Sequence, residues 1–288
     1  MGDGVLTSAK AAGQIKLGDL TVNRLGFGAM RITGPGIWGN PSVRQDAIDL
    51  LRNLEEMNVN FIDTADAYGP GTSEELIAEA LFPYRSVVIA TKGGMTRSGP
   101  GQWSPDCSPK HLRRACMDSL RRLKLDIIDL YQLHTVDPKV SFEESFNTLL
   151  DLQREGFIRH IGLSNIRPEH FTVALNMGGF VSVQNNYNLF NREHDSVLRL
   201  CERHGIAFIP YFPMSGNNAM VLENEVVQDM AKRYKITARQ LVLAWLLRRS
   251  PVMLPIPGTS SIEHFKLNVA SADVRLSDED YARLTNLA

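Results

Sequence analysis

The chain has 288 residues, of which 43% are hydrophobic, and a formal net charge of −1. That is enough apolar material for one large core, and the balanced charge gives no electrostatic case for nucleic acid or an acidic membrane surface. Three cysteines, Cys107, Cys116 and Cys201, without CxxC spacing exclude a disulfide framework and a zinc site, and imply free thiols in a reducing, cytoplasmic setting.

Met1–Ala12 are small and polar, without the charged start and apolar run of a signal peptide. Leu6 stands where a myristoylation signal needs Ser or Thr. No stretch approaches about 18 uninterrupted apolar residues, so no membrane span is expected. Residues 1–13 read as a flexible tail and 14–288 as a single domain. Gln14–Leu17 and Leu20–Asn23 alternate around Gly18-Asp19, which predicts a hairpin.

Strands and helices then alternate. The predicted strands are Arg24–Gly28, Val59–Asp63, Val87–Thr91, Ile127–Leu133, Ile158–Leu163, Val181–Gln184, Ala207–Tyr211 and Val252–Ile256. Asn40-Pro41 and Ser108-Pro109 each set proline in a first helical turn after a capping side chain. Ser141-x-x-Glu144, Thr237-x-x-Gln240, Ser260-x-x-Glu263 and Ser277-x-x-Asp280 have the form of capping boxes. Ala47, Leu50, Leu51, Leu54 and Met57 fall on one helical face. Glu223–Tyr234 and Ser277–Leu287 read as two helices outside the repeat. Eight β–α units with no linker between halves predict one α/β domain, a single (β/α)8 TIM barrel with an N-terminal hairpin and two extra helices. Two loops are long for such units: Arg31–Asn40, with Trp38, and Gly93–Cys107, with Trp103. Both follow strands, so both belong at the barrel's C-terminal face, where active sites are built.

Asp63, Tyr68, Lys92 and His134 stand at or just beyond the ends of successive apolar runs. Singly each has a commoner structural role: a turn carboxylate, a half-buried ring, a solvated amine, a structural imidazole. Together they would make a proton-donating carbonyl site. A phenol with a pKa near 10 needs tuning to act at neutral pH. An ammonium from Lys92 would lower that pKa, Asp63 would hold the ammonium, and His134 would donate to a carbonyl oxygen or share the Tyr68 proton. Gly26-x-Gly28 lacks the third glycine of a dinucleotide fingerprint, since Arg31 stands there.

Several motifs resemble the aldo-keto reductases over nearly the full chain. They are Leu25-Gly-Phe-Gly-Ala-Met30, Asp63-Thr-Ala-Asp-Ala-Tyr68-Gly69, Thr91-Lys92-Gly93, Leu130-Tyr-Gln-Leu-His134, Ile161-Gly-Leu-Ser-Asn165, Val183-Gln184-Asn-Asn-Tyr-Asn188 and Ile256-Pro-Gly-Thr-Ser260. The resemblance implies hydride transfer from NADPH, with NADH as the other choice, to an aldehyde or ketone, with Tyr68 as general acid, Lys92 and Asp63 tuning it, and His134 orienting the carbonyl.

It also implies a cofactor site. Gly28 and Met30 belong to it. Ser164, Asn165 and Gln184 would hold the nicotinamide carboxamide, and Tyr211, with Phe212 beside it, would stack on the ring. The backbone around Pro213, Met214 and Gly216 would follow the pyrophosphate. Gly258, Thr259, Ser260 and His264 would meet the 2′-phosphate, where many members carry Lys and Arg, and Asn268 would contact adenine.

Gly34-Pro-Gly-Ile-Trp-Gly39, Ile209-Pro-Tyr-Phe-Pro213 and Leu243-Ala-Trp-Leu-Leu247 are similar to a bacterial branch that includes pyridoxal reductases. Pyridoxal would then be a substrate, with Trp38 and Trp103 lining its pocket; His134 is absent from some members of that branch. Two rival readings are a cofactor-binding regulatory module with little turnover, like the potassium-channel β subunits, and a Schiff-base aldolase using Lys92. No protein partner is evident.

Overall fold

The computed structural model describes residues 7–214 and 220–287. The chain opens with a 3-10 turn at Ala9–Ala12 and the predicted hairpin, β1 (Gln14–Leu17) and β2 (Leu20–Asn23). Ala9 is fully buried and its N–H donates to Met57 O at 2.9 Å, so the last part of the expected tail is packed; residues 1–6 lie outside the described residues. There follow β3 (Phe27–Gly28), α1 (Arg44–Glu56), β4 (Phe61–Asp63), α2 (Thr72–Leu81) and β5 (Val88–Gly93). A second hairpin, β6 (Met95–Gly99) and β7 (Gln102–Pro105), fills the long loop after β5. Then come α3 (Pro109–Leu123), β8 (Ile128–Leu133), α4 (Phe142–Arg154), β9 (Ile158–Ser164), α5 (Pro168–Met177), β10 (Ser182–Asn186), α6 (Asp195–His204) and β11 (Ala207–Tyr211). The chain ends with α7 (Met220–Glu223), α8 (Glu225–Tyr234), α9 (Ala238–Arg249), α10 (Ile262–Ala270) and α11 (Asp278–Thr285).

Seven strands form one parallel sheet in the order β11-β10-β9-β8-β5-β4-β3. The eighth predicted strand, Val252–Ile256, is not one. Pro251, Pro255 and Pro257 have no N–H to give to a ladder. What remains is a bridge between Phe208 and Met253 and three backbone bonds. Phe208 N–H donates to Val252 O and Leu254 N–H to Phe208 O, both at 2.8 Å, and Gly26 N–H donates to Pro255 O at 2.9 Å. The segment therefore touches β11 on one side and the approach to β3 on the other. At that seam a Cβ on Gly28 would stand 2.6 Å from Ile256 O, and one on Gly258 2.5 Å from Gly28 O, so two backbones meet where only glycine fits.

Period-two alternation stacks the interior in layers. Leu17 and Val22 of the first hairpin pack beneath Phe61, Ala90, Leu130, Ala207 and Ile209, together with Leu254 and Ile256. Two residues further along three of these strands, the same inward face carries Asp63, Lys92 and Gln132. Two larger apolar clusters fill the space between sheet and helices. Helix α1 presents Ala47, Leu50, Leu51 and Leu54 to one of them, with Met57 just beyond its end, each leucine or methionine burial contributing about 1.5–3 kcal/mol.

Four helix starts follow the expected side chains: Ser108, Ser141, Thr237 and Ser277 accept from His111, Glu144, Gln240 and Asp280 N–H. Two do not. Asn40-Pro41 precedes α1 by three residues, because Asn40 Oδ1 accepts from Arg44 Nη1 at 2.6 Å instead of capping backbone. Helix α10 is capped by Ser261, not Ser260. The first extra helix is broken at Asn224, whose side chain caps α8. No helix among the described residues is long and apolar enough to cross a membrane.

Candidate active site

The parallel register sets the inward polar layer at the strands' C-terminal ends. Lys92 stands opposite Gln132, and Gln184 opposite Ser164. Lys92 is fully buried and donates from Nζ to Asp63 Oδ1 at 2.6 Å, Thr64 O at 2.9 Å and Tyr68 Oη at 3.4 Å. The other carboxylate oxygen of Asp63 accepts from Gln132 Nε2 and Gln184 Nε2, both at 2.8 Å. All three N–H groups of the Lys92 ammonium and both oxygens of the Asp63 carboxylate are thus hydrogen-bonded.

Tyr68 reaches the pair from a tight turn after β4, in which Tyr68 N–H donates to Ala65 O and Gly71 N–H to Asp66 O. His134 follows β8, its N–H donating to Gly93 O at 2.9 Å. The Tyr68 and His134 rings meet edge to face, 5.9 Å between centroids, and Trp103 from β7 stands 6.3 Å from each.

Burial raises the Tyr68 pKa more than Lys92 lowers it. Lys92 therefore does not bring the phenol below its ordinary value, as the sequence suggested; the phenol keeps its proton at neutral pH. Burial opposes the charge on Lys92, but Asp63 and Tyr68 outweigh it and raise its pKa, so the amine remains an ammonium. Burial, with a smaller push from Lys92, lowers His134 well below the usual imidazole range, so the ring is neutral. His134 Nδ1 is buried without a hydrogen-bond partner. A proton there would be a buried donor with nothing to receive it, so the ring carries its proton on Nε2. The group presents two neutral donors, a phenol and an imidazole, beside one fixed positive charge.

A cavity of about 730 Å³ opens over this group and runs towards α10. Asp63, Tyr68, His134 and Trp103 line one part of it. Of the expected cofactor residues, Gly28, Met30, Ser164, Gln184, Tyr211, Phe212, Pro213, Met214, Gly258, Thr259, Ser260 and His264 also line it. Gly216 lies outside the described residues. Three expected wall residues stand elsewhere. Asn165 has φ 57°, and its amide turns inward: Nδ2 donates to His134 O and Ser164 Oγ, and Oδ1 accepts from Tyr211 Oη at 2.8 Å. It braces the wall without forming it. Asn268 is buried in α10 and is not part of the lining. Trp38 bridges to Gly69 and lies behind Arg97.

Several wall residues carried no sequence signal. Met95 and Arg31 come from the two long loops, and Leu222 from α7. Arg239 projects from the first turn of α9, where no motif marks it. No carboxylate pairs with it among the described residues; Nη1 donates to Met214 Sδ at 3.6 Å. With Ser260, His264 and the opening turn of α10 it gives that end of the cavity the donors an anion requires. No group of three or more His, Cys, Asp or Glu among the described residues is arranged to hold a metal.

Known proteins share this architecture. A structure of an aldo-keto reductase from Klebsiella pneumoniae in complex with NADPH superposes with a TM-score of 0.81 at 29% identity, covering 95% of this chain and 94% of that one. An uncharacterised oxidoreductase of Schizosaccharomyces pombe is 47% identical over 96% of this chain and 90% of its own length. Pyridoxine 4-dehydrogenase of Escherichia coli is 39% identical over 94% of this chain and 97% of its own length. The profile of the aldo/keto reductase family matches residues 24–288. The chain belongs to the aldo/keto reductase family.

Proposed function

We propose that this protein reduces an aldehyde or ketone to the alcohol with NADPH, and that Tyr68 donates the proton. The observation that carries the reading is the buried Asp63–Lys92 pair with Lys92 Nζ 3.4 Å from the Tyr68 hydroxyl and the neutral His134 ring alongside. A carbonyl oxygen between phenol and imidazole would accept from both. As charge grows on that oxygen, Tyr68 gives up its proton, and the adjacent ammonium stabilises the phenolate left behind. The bound cofactor would supply the hydride.

The cavity suits such a cofactor. Ser164 and Gln184 would meet the nicotinamide carboxamide, and Tyr211, pinned by Asn165, offers the face for its ring. Thr259, Ser260, His264 and Arg239 would receive the 2′-phosphate; a guanidinium from α9 then supplies the cation missing after residue 257. We read the architecture as a (β/α)8 barrel with residues 252–256 in the eighth place.

The substrate we favour is a flat aromatic aldehyde such as pyridoxal. Trp103, Phe212, Met30 and Met95 provide an apolar wall beside the donors, and the Escherichia coli relative is a pyridoxine 4-dehydrogenase. The aldolase reading is disfavoured, because an amine held as an ammonium by three contacts is no nucleophile. The test is a carbonyl panel including pyridoxal, run with NADPH and NADH in parallel on wild type and Tyr68→Phe. Turnover should fall by about a thousandfold in the variant, with NADPH affinity retained. Turnover that survives the substitution would remove Tyr68 from the role of acid.

A further inference from the structure

We propose that Arg97 is the positioning residue that holds Trp103 over the reacting carbonyl, and that it thereby sets the preference for flat aromatic substrates. The inference rests on the carbonyl-reductase reading above and adds a specific part to it. Arg97 lies on β6, half-buried, and all five of its guanidinium N–H groups have an acceptor. Nε donates to Gln102 O at 2.9 Å. Nη1 donates to Ile37 O and Ala67 O, both at 3.0 Å. Nη2 donates to Gly36 O at 2.9 Å and Gly99 O at 3.4 Å.

These carbonyls belong to three separate segments: the loop between β3 and α1, the turn between β4 and α2 that carries Tyr68, and the hairpin β6–β7 itself. One side chain therefore ties together three loops that the strands only anchor at their ends. The same guanidinium lies 3.7 Å over the ring of Trp103 and 5.7 Å from that of Trp38. No carboxylate pairs with Arg97 among the described residues; five peptide carbonyls and two indole faces meet its charge.

The loops are fitted to this arrangement. Gly36 has φ +70°, and a Cβ there would stand 2.9 Å from Pro100 Cβ at the hairpin's tip. Gly101 N–H donates to Gly36 O, and Gly39 N–H to Gly69 O. Trp103, held in this way, makes edge-to-face contact with both Tyr68 and His134 and so forms the wall beside them. A lysine has three donors and no plane to stack, so it cannot reproduce the clamp.

The experiment compares wild type, Arg97→Lys and Arg97→Ala, all as the full chain, with pyridoxal and with propanal at saturating NADPH. NADPH affinity is read separately by fluorescence titration, and indole exposure by acrylamide quenching. In both variants KM for pyridoxal should rise about tenfold, with kcat/KM for propanal changed less than about threefold. NADPH affinity should stay as in wild type, and quenching should increase. A proportional loss on both aldehydes, or no loss, overturns the proposal. If Arg97→Ala does not fold, Arg97→Lys carries the comparison, and it must show the same selective loss. If wild type reduces neither aldehyde, the functional reading fails; unchanged quenching in Arg97→Lys then separately overturns the positioning role.

Discussion

Replacing Lys92 by Met tests whether the buried ion pair has the weight assigned to it. Lys92 is fully buried and Asp63 nearly so, with 2.6 Å between the charged atoms. Met fills the volume but leaves the carboxylate with only the two amide donors of Gln132 and Gln184. Removing one partner of a buried pair costs about 3–5 kcal/mol. Neutralising an ordinary carboxyl group with a proton taken up at pH 7 costs about 4 kcal/mol, which caps the loss. Unfolding entropy of about 2.1 cal/mol/K per residue gives about 0.6 kcal/mol/K for a chain of this length. The midpoint should therefore fall by about 5–7 °C in a calorimetric melt at pH 7. Asp63→Asn combined with Lys92→Met removes both charges and should recover most of that loss. A single variant that melts within about 2 °C of wild type, or a double variant no better than the single, would refute the reasoning.

Other outcomes follow from the same geometry. His134 has its folded pKa lowered by burial and by Lys92. The unfolded chain therefore takes up that proton first, near pH 6.5, and the stability tied to the neutral ring is lost as pH falls below that value. The melting advantage of wild type over His134→Gln should shrink from pH 7.5 to pH 5; a constant difference would contradict it. Arg239→Ala should weaken NADPH binding by about tenfold in a fluorescence titration while changing NADH by less than about twofold. Equal losses would mean that Arg239 does not meet the 2′-phosphate.

The residues that ended apolar runs were legible in the sequence because a strand's alternation and its end coincide there. Phe61 then Asp63, and Ala90 then Lys92, each pass from the apolar layer to the polar one. Gln132 was not legible, because it lies inside the run Leu130-Tyr-Gln-Leu133 and shows its meaning only when Asp63 stands opposite. The eighth strand was misread because apolarity alone does not register the donors that Pro251 and Pro255 lack. The second hairpin was hidden by Gly99-Pro100-Gly101, which reads as irregular loop, and Arg97 within it carried no motif. Tyr68 shows the limit of arguing from pairs: the neighbouring ammonium was foreseen, but the larger effect of burial was not.

The seam at Gly28 and Gly258 bears on how the site comes into being. Asp63, Tyr68, Lys92 and His134 all lie in the first half of the chain, whereas the floor of the cavity is shared between Gly28 near the start and Ile256 and Gly258 near the end. An incomplete chain emerging during synthesis has its reactive groups but no floor for a ligand to rest on. Joining the two ends at this seam completes the cavity wall, so a ligand that spans the joint favours the joined state by the free energy of its own binding.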